Sequence, residues 1–238
     1  MKARVLVVTG LLSAVVGCTS VDSADIKTHG IQPGMTVTSS AGATTSHVSV
    51  AFHVGDSIDT FVTLQDDESV TASVGTTPVK LAHSEILGFT SYDGDLPTNA
   101  AGTTVTIALS RPTDTSAPSS SVTMTDQLTL TSPTGGAGAN VSRANDDVTV
   151  AWTSDTSADG VTVLAQGDCI DTFSTSVAPP NTSAIISKGT LKKKTGDNIA
   201  DTCAVTFAAE RSRSGTVDAA YGGGSISDTF SSSATLQS

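Results

Sequence analysis

The feature that most constrains the fold of this chain is an internal repeat at a spacing of 100 residues. Residues 48–52 (VSVAF) correspond to residues 148–152 (VTVAW), and residues 105–111 (VTIALSR) correspond to residues 205–211 (VTFAAER). In each segment, large apolar residues alternate with small or polar ones, the two-residue period of a half-buried strand. No window of about a dozen residues shows the apolar stripe of an amphipathic helix. The sequence therefore predicts an all-β chain built from two similar units.

Each unit has about 100 residues and roughly seven strand-like segments, a size and rhythm that resemble an immunoglobulin-like β-sandwich. The stretch after Ser132 is rich in proline and glycine, as domain boundaries often are. We therefore predict two tandem immunoglobulin-like β-sandwich domains, residues 31–132 and 133–238, each with its own core. The repeat places Trp152 where the first unit has Phe52, and we expect both side chains in the cores.

The match to a true immunoglobulin domain is incomplete, because there the bridging cysteines lie on either side of the core tryptophan. Here Cys169 and Cys203 both follow Trp152, so no strand order is predicted. Arg111 and Arg211 share their repeat position at the end of a strand. For both arginines we expect a structural pairing with a carboxylate in preference to an anion site.

The N-terminal segment has the features of an exported precursor: a basic start, an apolar run over residues 5–16, and Gly17 before Cys18. The ending Val15-Val16-Gly17-Cys18 resembles the lipobox of bacterial lipoprotein precursors. That resemblance implies a signal peptide of residues 1–17, cleavage before Cys18, and a diacylglycerol on its sulfur with an acyl chain such as palmitate on its amino group. The alternative is an ordinary signal peptide cut at or near Gly17.

The polar residues 18–30 lack apolar periodicity, and we interpret them as a lipidated tether, with ordered structure starting near Ile31. By resemblance to lipoprotein sorting, Thr19 after the cysteine favours the outer membrane over other parts of the cell envelope. In an exported chain, the remaining pair Cys169 and Cys203 predicts a disulfide. Metal ligation by this pair is disfavoured, because no CxxC spacing accompanies it.

Charge and motif content exclude several function classes. The formal net charge of −11 argues against binding nucleic acid. The four histidines, His29, His47, His53 and His83, have no metal-site spacing, and no serine lies in a nucleophile motif. The glycine run 222–224 lacks the Lys-Ser/Thr of a phosphate loop and predicts a flexible hairpin loop. We therefore predict no cofactor, no metal ligand and no catalytic residue.

Carboxylate clusters occur at residues 66–68, 93–95 and 146–147, and at Asp155 with Asp159. We expect them in turns, where aspartate caps the backbone, although calcium also prefers oxygen ligands on loops. The basic run 192–194 indicates a protected edge strand or a solvated face, with a weak contact to an acidic partner as the alternative.

Two function classes remain. The first is a monomeric, non-catalytic lipoprotein of the cell envelope, held to the membrane by the lipid on Cys18, that binds a protein or glycan or acts as a spacer. The alternative is an envelope glycan hydrolase that uses a pair of loop carboxylates. Aromatic residues make up only 4% of the chain, which leaves few rings to line a sugar-binding cleft. We therefore favour the non-catalytic class.

Overall fold

The computed structural model describes residues 19–57, 59–86, 88–136, 139–153, 157–196 and 198–238. The predicted signal peptide, Cys18 and Asp155 lie outside these residues. Two short 3-10 helices, Ser23–Asp25 and Thr28–Gly30, follow the first strand. The strands in chain order are β1 (Thr19–Asp22), β2 (Ile31–Ser40), β3 (Ser46–Val54), β4 (Thr60–Thr63), β5 (Ser69–Val74), β6 (Thr77–Lys80), β7 (Ala82–Ile86), β8 (Phe89–Leu96), β9 (Thr104–Ser110), β10 (Ala117–Thr123), β11 (Leu130–Ser132), β12 (Val148–Trp152), β13 (Val161–Gly167), β14 (Phe173–Val177), β15 (Ser183–Ile186), β16 (Ala204–Ser214) and β17 (Ser225–Gln237).

One large sheet runs through the molecule, and a smaller sheet covers each half of it. The large sheet has the order β1-β4-β3-β2-β17-β16-β13-β14, and the β7–β8 hairpin joins it through β3. The smaller sheets have the orders β10-β9-β5-β6 and β11-β12-β15. The pairs β1–β4 and β17–β2 are parallel, and the other strand pairs that the structure describes are antiparallel. The predicted all-β fold of two sandwich-like units is therefore confirmed.

Alternating burial along the strands creates two separate hydrophobic cores. In β9, for example, Val105, Ile107 and Leu109 are buried while the residues between them are partly exposed. Phe52 lies in the first core and Trp152 in the second, at 1% and 4% exposure, as the repeat predicts. Full burial of one large apolar side chain contributes about 1.5 to 3 kcal/mol.

The cores divide the chain differently from the predicted ranges 31–132 and 133–238. Leu128 lies in the second core, whereas Tyr221 and Ile226 lie in the first. The reason is the length of β17, whose 13 residues span about 43 Å and therefore pass from one core to the other. Residues 225–231 pair with β2 of the first unit, and residues 227–237 pair with β16 of the second.

Residues 19–30, interpreted from the sequence as part of a tether, belong to the fold. Strand β1 pairs in parallel with β4, from Thr19 opposite Thr60 to Asp22 opposite Thr63. The 3-10 helices that follow bury Ser23 and Thr28. No helix among the described residues has the length and apolar character needed to cross a bilayer.

The glycine run 222–224 lies in the connection between the antiparallel strands β16 and β17, as the predicted hairpin loop requires, and it packs closely against residues 29–33 of the first unit. A Cβ added at Gly222 would lie 2.1 Å from the carbonyl oxygen of His29. A Cβ at Gly224, which has a φ of 110°, would lie 2.4 Å from the carbonyl oxygen of Pro33. Glycine is required here because only it lets the two backbones approach so closely.

Candidate functional site

Cys169 and Cys203 form a disulfide at one end of the second core, which is the pairing that the cysteine count predicts. Their Cα atoms are 5.7 Å apart, and the sequence separation is 34 residues. The amide of Ser238 donates a hydrogen bond of 3.0 Å to the carbonyl oxygen of Cys203. The disulfide therefore lies beside the end of the described chain, where β17 has finished.

A buried ion pair holds the N-terminal segment against the first unit, and we call its members Arg111, Glu68, Thr28 and Ser23 the clasp. The Arg111 guanidinium donates to Glu68 Oε1 at 2.7 Å and to Thr28 Oγ1 at 3.0 Å. It also donates to the carbonyl oxygens of Ser23 at 2.5 Å and Ile26 at 3.1 Å. Both charged side chains are 1% exposed, so each charge depends on the other for compensation.

Neighbouring groups complete the clasp. The Ser23 hydroxyl and the Gln65 amide donate to Glu68 Oε2, so both carboxylate oxygens are engaged. Asp114 accepts a hydrogen bond of 2.8 Å from the Thr28 amide. That bond, with further help from the Thr115 amide and the Lys27 charge, lowers the pKa of Asp114 to about 2. The expected carboxylate partner of Arg111 is therefore Glu68, which lies 43 residues away in the chain.

Arg211, the repeat counterpart of Arg111, is equally buried at 2% exposure but occupies a different setting. It donates to the carbonyl oxygen of Asp126 at 3.0 Å and lines a small cleft of about 140 Å³ beside Trp152. Both arginines at this repeat position are buried, whereas their partners depend on the surrounding chain.

One candidate site among the described residues is a cleft of about 460 Å³ in the first unit, next to the clasp. It opens between the β4–β5 connection and the β6–β7 connection, with Tyr92 of β8 at its wall. Its polar lining consists of Gln65, Asp66, Glu68, Ser69, Lys80, His83 and Tyr92. Cleft volumes of about 300 to 1,000 Å³ are typical of small-ligand sites.

Tyr92 makes this cleft rigid because both ends of its side chain are held. Its hydroxyl accepts a hydrogen bond of 2.7 Å from the Leu64 amide, and its ring centroid lies 5.7 Å from that of Phe52 in the core. The ring of His83 lies 5.4 Å from Tyr92 on the cleft side. Burial raises the pKa of Tyr92 above its usual value, so the phenol stays protonated.

The charged groups that remain available in the cleft are few. Asp66, Lys80 and His83 are exposed, whereas Glu68 is occupied by Arg111, Ser23 and the Gln65 amide. A glycan hydrolase needs a proton-donating carboxyl facing a second carboxylate across the substrate. The cleft presents one free carboxylate, on Asp66, and lacks that arrangement.

The predicted turn carboxylates have mostly structural partners. Asp146 accepts from the amide of Ser142 at 2.7 Å, which is the expected local capping role, whereas Asp147 accepts from the distant amide of Lys188 at 2.7 Å. Asp159 instead pairs with Arg213 at 2.5 Å. No cluster of three or more metal-binding side chains occurs in the part of the chain that the structure describes.

Asp93 and Asp95 lie within β8 and not in a turn, because β8 pairs with β3 through this stretch. Both face His47 of β3, whose Nδ1 is 2.9 Å from Asp95 Oδ1 and whose Nε2 is 3.6 Å from Asp93 Oδ1. The local composition of this segment does not indicate that it forms a paired strand.

The basic run is a solvated loop. Lys193 pairs with Asp201 at 2.6 Å, and the Lys194 ammonium donates to the carbonyl oxygen of Gly167 at 3.2 Å. An isolated bridge between Ile170 and Lys193 holds this loop next to the disulfide.

The cleft beside Tyr92 could not be predicted from the sequence, since its lining comes from segments that only strand pairing brings together.

No protein-family model and no curated protein matches this chain. Among solved structures it is similar to a cytokine receptor complex, at 14% identity over 86% of this chain and 94% of that chain, with a TM-score of 0.30. It is also similar to a segment of two fibronectin type III domains from chicken tenascin, at 14% identity over 87% and 99%, with a TM-score of 0.25.

A third similar structure is the Bacteroides ovatus protein SGBP-B of a mixed-linkage glucan utilization locus, in complex with a mixed-linkage heptasaccharide. It shares 10% identity over 96% of this chain and 69% of that chain, with a TM-score of 0.22.

Proposed function

We propose that this protein is a lipid-anchored, non-catalytic binding protein of the cell envelope. Cys18 carries the anchor, and the cleft beside Tyr92 takes a glycan ligand. The lipobox-like ending Val15-Val16-Gly17-Cys18 supports the anchor. The disulfide between Cys169 and Cys203 supports an extracytoplasmic location, because such bonds persist in oxidising compartments.

The observation that carries the proposed binding function is the rigid cleft of about 460 Å³. A saccharide has apolar C–H faces and hydroxyl edges. Leu64 and Ala82 supply apolar surface in the cleft, and Asp66, Lys80 and His83 supply hydrogen-bonding groups. Because Tyr92 is held at its ring and its hydroxyl, the cleft does not need to reorganise on binding.

The same geometry favours binding over hydrolysis. Glu68 is the carboxylate best shielded from water in the cleft, which is where a general acid would be expected. Its two oxygens are committed to the clasp, and Glu68 would have to be protonated before it could act as a general acid, which would break the ion pair with Arg111. Glu68 therefore acts as a structural residue that shapes one side of the cleft.

The binding proposal is tested by titrating the mature chain with envelope glycan fragments in a calorimeter, beside Lys80→Ala and His83→Ala variants. A hydrogen bond to a charged group contributes about 1.5 to 3 kcal/mol, so we expect each variant to weaken binding by about tenfold or more. Asn181→Ala, in the smaller cleft beside Trp152, is the matched control and should bind as the wild type does. The proposal fails if no glycan binds, or if both cleft variants bind normally; selective capture of peptides would indicate a protein ligand.

The anchor is tested separately by mass spectrometry of the N-terminal peptide from native material. We expect a peptide that begins at a lipidated Cys18, and Cys18→Ser should release the protein from membranes. Fractionation then distinguishes the outer membrane from the rest of the envelope. A free Cys18 thiol in native material would refute the anchor.

A further inference from the structure

Two of the three large apolar side chains that are exposed in the described residues lie next to each other. Ile86 and Phe89 are 67% and 56% exposed, and they are paired across the tip of the β7–β8 hairpin. Directly paired residues of an antiparallel hairpin project to the same side of the sheet. The third, Ile185 at 64% exposure, stands alone on edge strand β15 of the second unit.

The pair lies beside the point where the described chain begins. The ring of Phe89 packs edge-on against Phe61 of β4, with the centroids 5.5 Å apart. Phe61 is in turn the register partner of Ser20 in β1. Neighbouring strands are about 4.8 Å apart, so Ser20 is close to the hairpin tip. Cys18 precedes Ser20 by two residues, a reach of about 7 Å.

The segment that follows Cys18 is held firmly, so it cannot act as a flexible spacer. Strand β1 is hydrogen-bonded to β4, and Arg111 binds the carbonyl oxygens of Ser23 and Ile26 just beyond it. A lipid on Cys18 would therefore bring the bilayer surface to this end of the first unit.

We propose that Ile86 and Phe89 form a second membrane contact, which enters the boundary between headgroups and acyl chains beside the lipid on Cys18. This inference rests on the proposed anchor. Two exposed apolar side chains are too few to hold a protein on a membrane alone, but a covalent lipid makes the encounter intramolecular. The contact turns a point attachment into a defined orientation, with the β7–β8 tip toward the membrane.

The charge around the tip selects the type of lipid surface. Glu85, next to Ile86, and Asp59, next to the start of β4, are both exposed carboxylates. These groups repel an anionic surface, so the contact fits a zwitterionic one such as phosphatidylcholine or phosphatidylethanolamine.

The test measures the membrane depth of a single tryptophan placed at the tip. In the oxidised mature chain, Cys18 is the one cysteine outside the disulfide, so its thiol can be coupled to a maleimide lipid in phosphatidylcholine vesicles. Trp152→Phe removes the native tryptophan, and phenylalanine is chosen because Phe52 occupies the equivalent position of the repeat. Phe89→Trp is then compared with the matched control Ile185→Trp.

In vesicles with brominated acyl chains, we expect the tryptophan fluorescence of the Phe89→Trp variant to be quenched and its emission maximum to shift to shorter wavelength. Ile185→Trp should keep its emission, and added phosphatidylglycerol should reduce the quenching at position 89. Ile86→Trp provides a second probe if Phe89→Trp does not fold. Equal emission from the tip and control variants would overturn the proposal. A blue-shifted tip emission without vesicles, together with dimers in sedimentation, would overturn it in favour of self-association.

The outcome is independent of the anchor test. Chemical coupling supplies the lipid whether or not the cell does, so failure at the tip is read from quenching alone. Failure of the anchor is read from the mass of the native N-terminal peptide. The two results therefore separate the membrane contact from the lipoprotein assignment.

Discussion

Replacing Arg111 with methionine tests whether the clasp holds the N-terminal segment in place. Methionine retains much of the apolar stem but removes the guanidinium. That group donates to five acceptors: Glu68, Thr28, Asp114 and the carbonyl oxygens of Ser23 and Ile26. The change leaves the Glu68 carboxylate at 1% exposure without its cation.

The expected loss is large relative to the stability of a domain. Removing one partner of a buried ion pair costs about 3 to 5 kcal/mol, because the other charge stays buried and uncompensated. Total unfolding free energies are about 5 to 15 kcal/mol. The double variant Arg111→Met/Glu68→Gln should recover part of the loss, since the remaining side chain is then neutral.

The assay is urea denaturation followed by circular dichroism and by Trp152 fluorescence, with hydrogen exchange as a local probe. The amides of Ile26 and Gly30, which bond within residues 23–30, should exchange faster in Arg111→Met. Lys27→Met is the matched control. Its ammonium is 82% exposed and 3.7 Å from Asp114, so we expect a loss below about 1 kcal/mol. If Arg111→Met loses no more stability than Lys27→Met, and both amides keep their protection, the clasp does not hold the segment.

Three further predictions concern the close contact at Gly222, the disulfide and a buried carboxyl. Gly222→Ala should lower the free energy of unfolding, measured by urea denaturation, by about 1 to 3 kcal/mol, because the added Cβ would meet a backbone oxygen at 2.1 Å. The control Gly34→Ala should be tolerated, because the nearest atom to its added Cβ is 4.0 Å away. Replacing Cys169 and Cys203 by serine should lower stability by about 3 to 4 kcal/mol for a 34-residue separation, and an unchanged midpoint under oxidising conditions would contradict this. Burial raises the pKa of Asp228, so the unfolded chain loses that proton first and stability falls as pH rises from about 3.8 through the native pKa. Asp228→Asn should remove this fall, which urea midpoints between pH 3 and pH 7 will show.

The strands and core residues were predictable because their signal is local. A two-residue alternation determines which side of a strand is buried, whatever strand lies next to it. The repeat identified Phe52 and Trp152 as core residues, and the cysteine count identified the disulfide between Cys169 and Cys203. For Arg111, its position at a strand end in the repeat led to the expected carboxylate pairing, which the structure shows with Glu68.

The boundary between the two units could not be predicted from the sequence. The repeat marks similar segments, but it does not show that β17 is long enough to serve two cores. The composition of the run 222–224 predicts a loop, because the same glycines suit a flexible turn and a close backbone contact. Only the position of β2 beside this run distinguishes the two.

The sequence by itself determined an all-β chain with two cores, one disulfide and no helical or metal-site pattern. The tertiary structure decided which distant groups meet: Glu68 with Arg111, Ser20 with Phe61, and the lining of the cleft. The physical reason is that the alternation of apolar and polar residues is a property of a single strand. Which strands pair, and which side chains meet, depends instead on how the whole chain packs to bury its apolar residues. A polar segment such as residues 19–30 has no apolar signal of its own, and it is ordered by a guanidinium that lies more than 80 residues away.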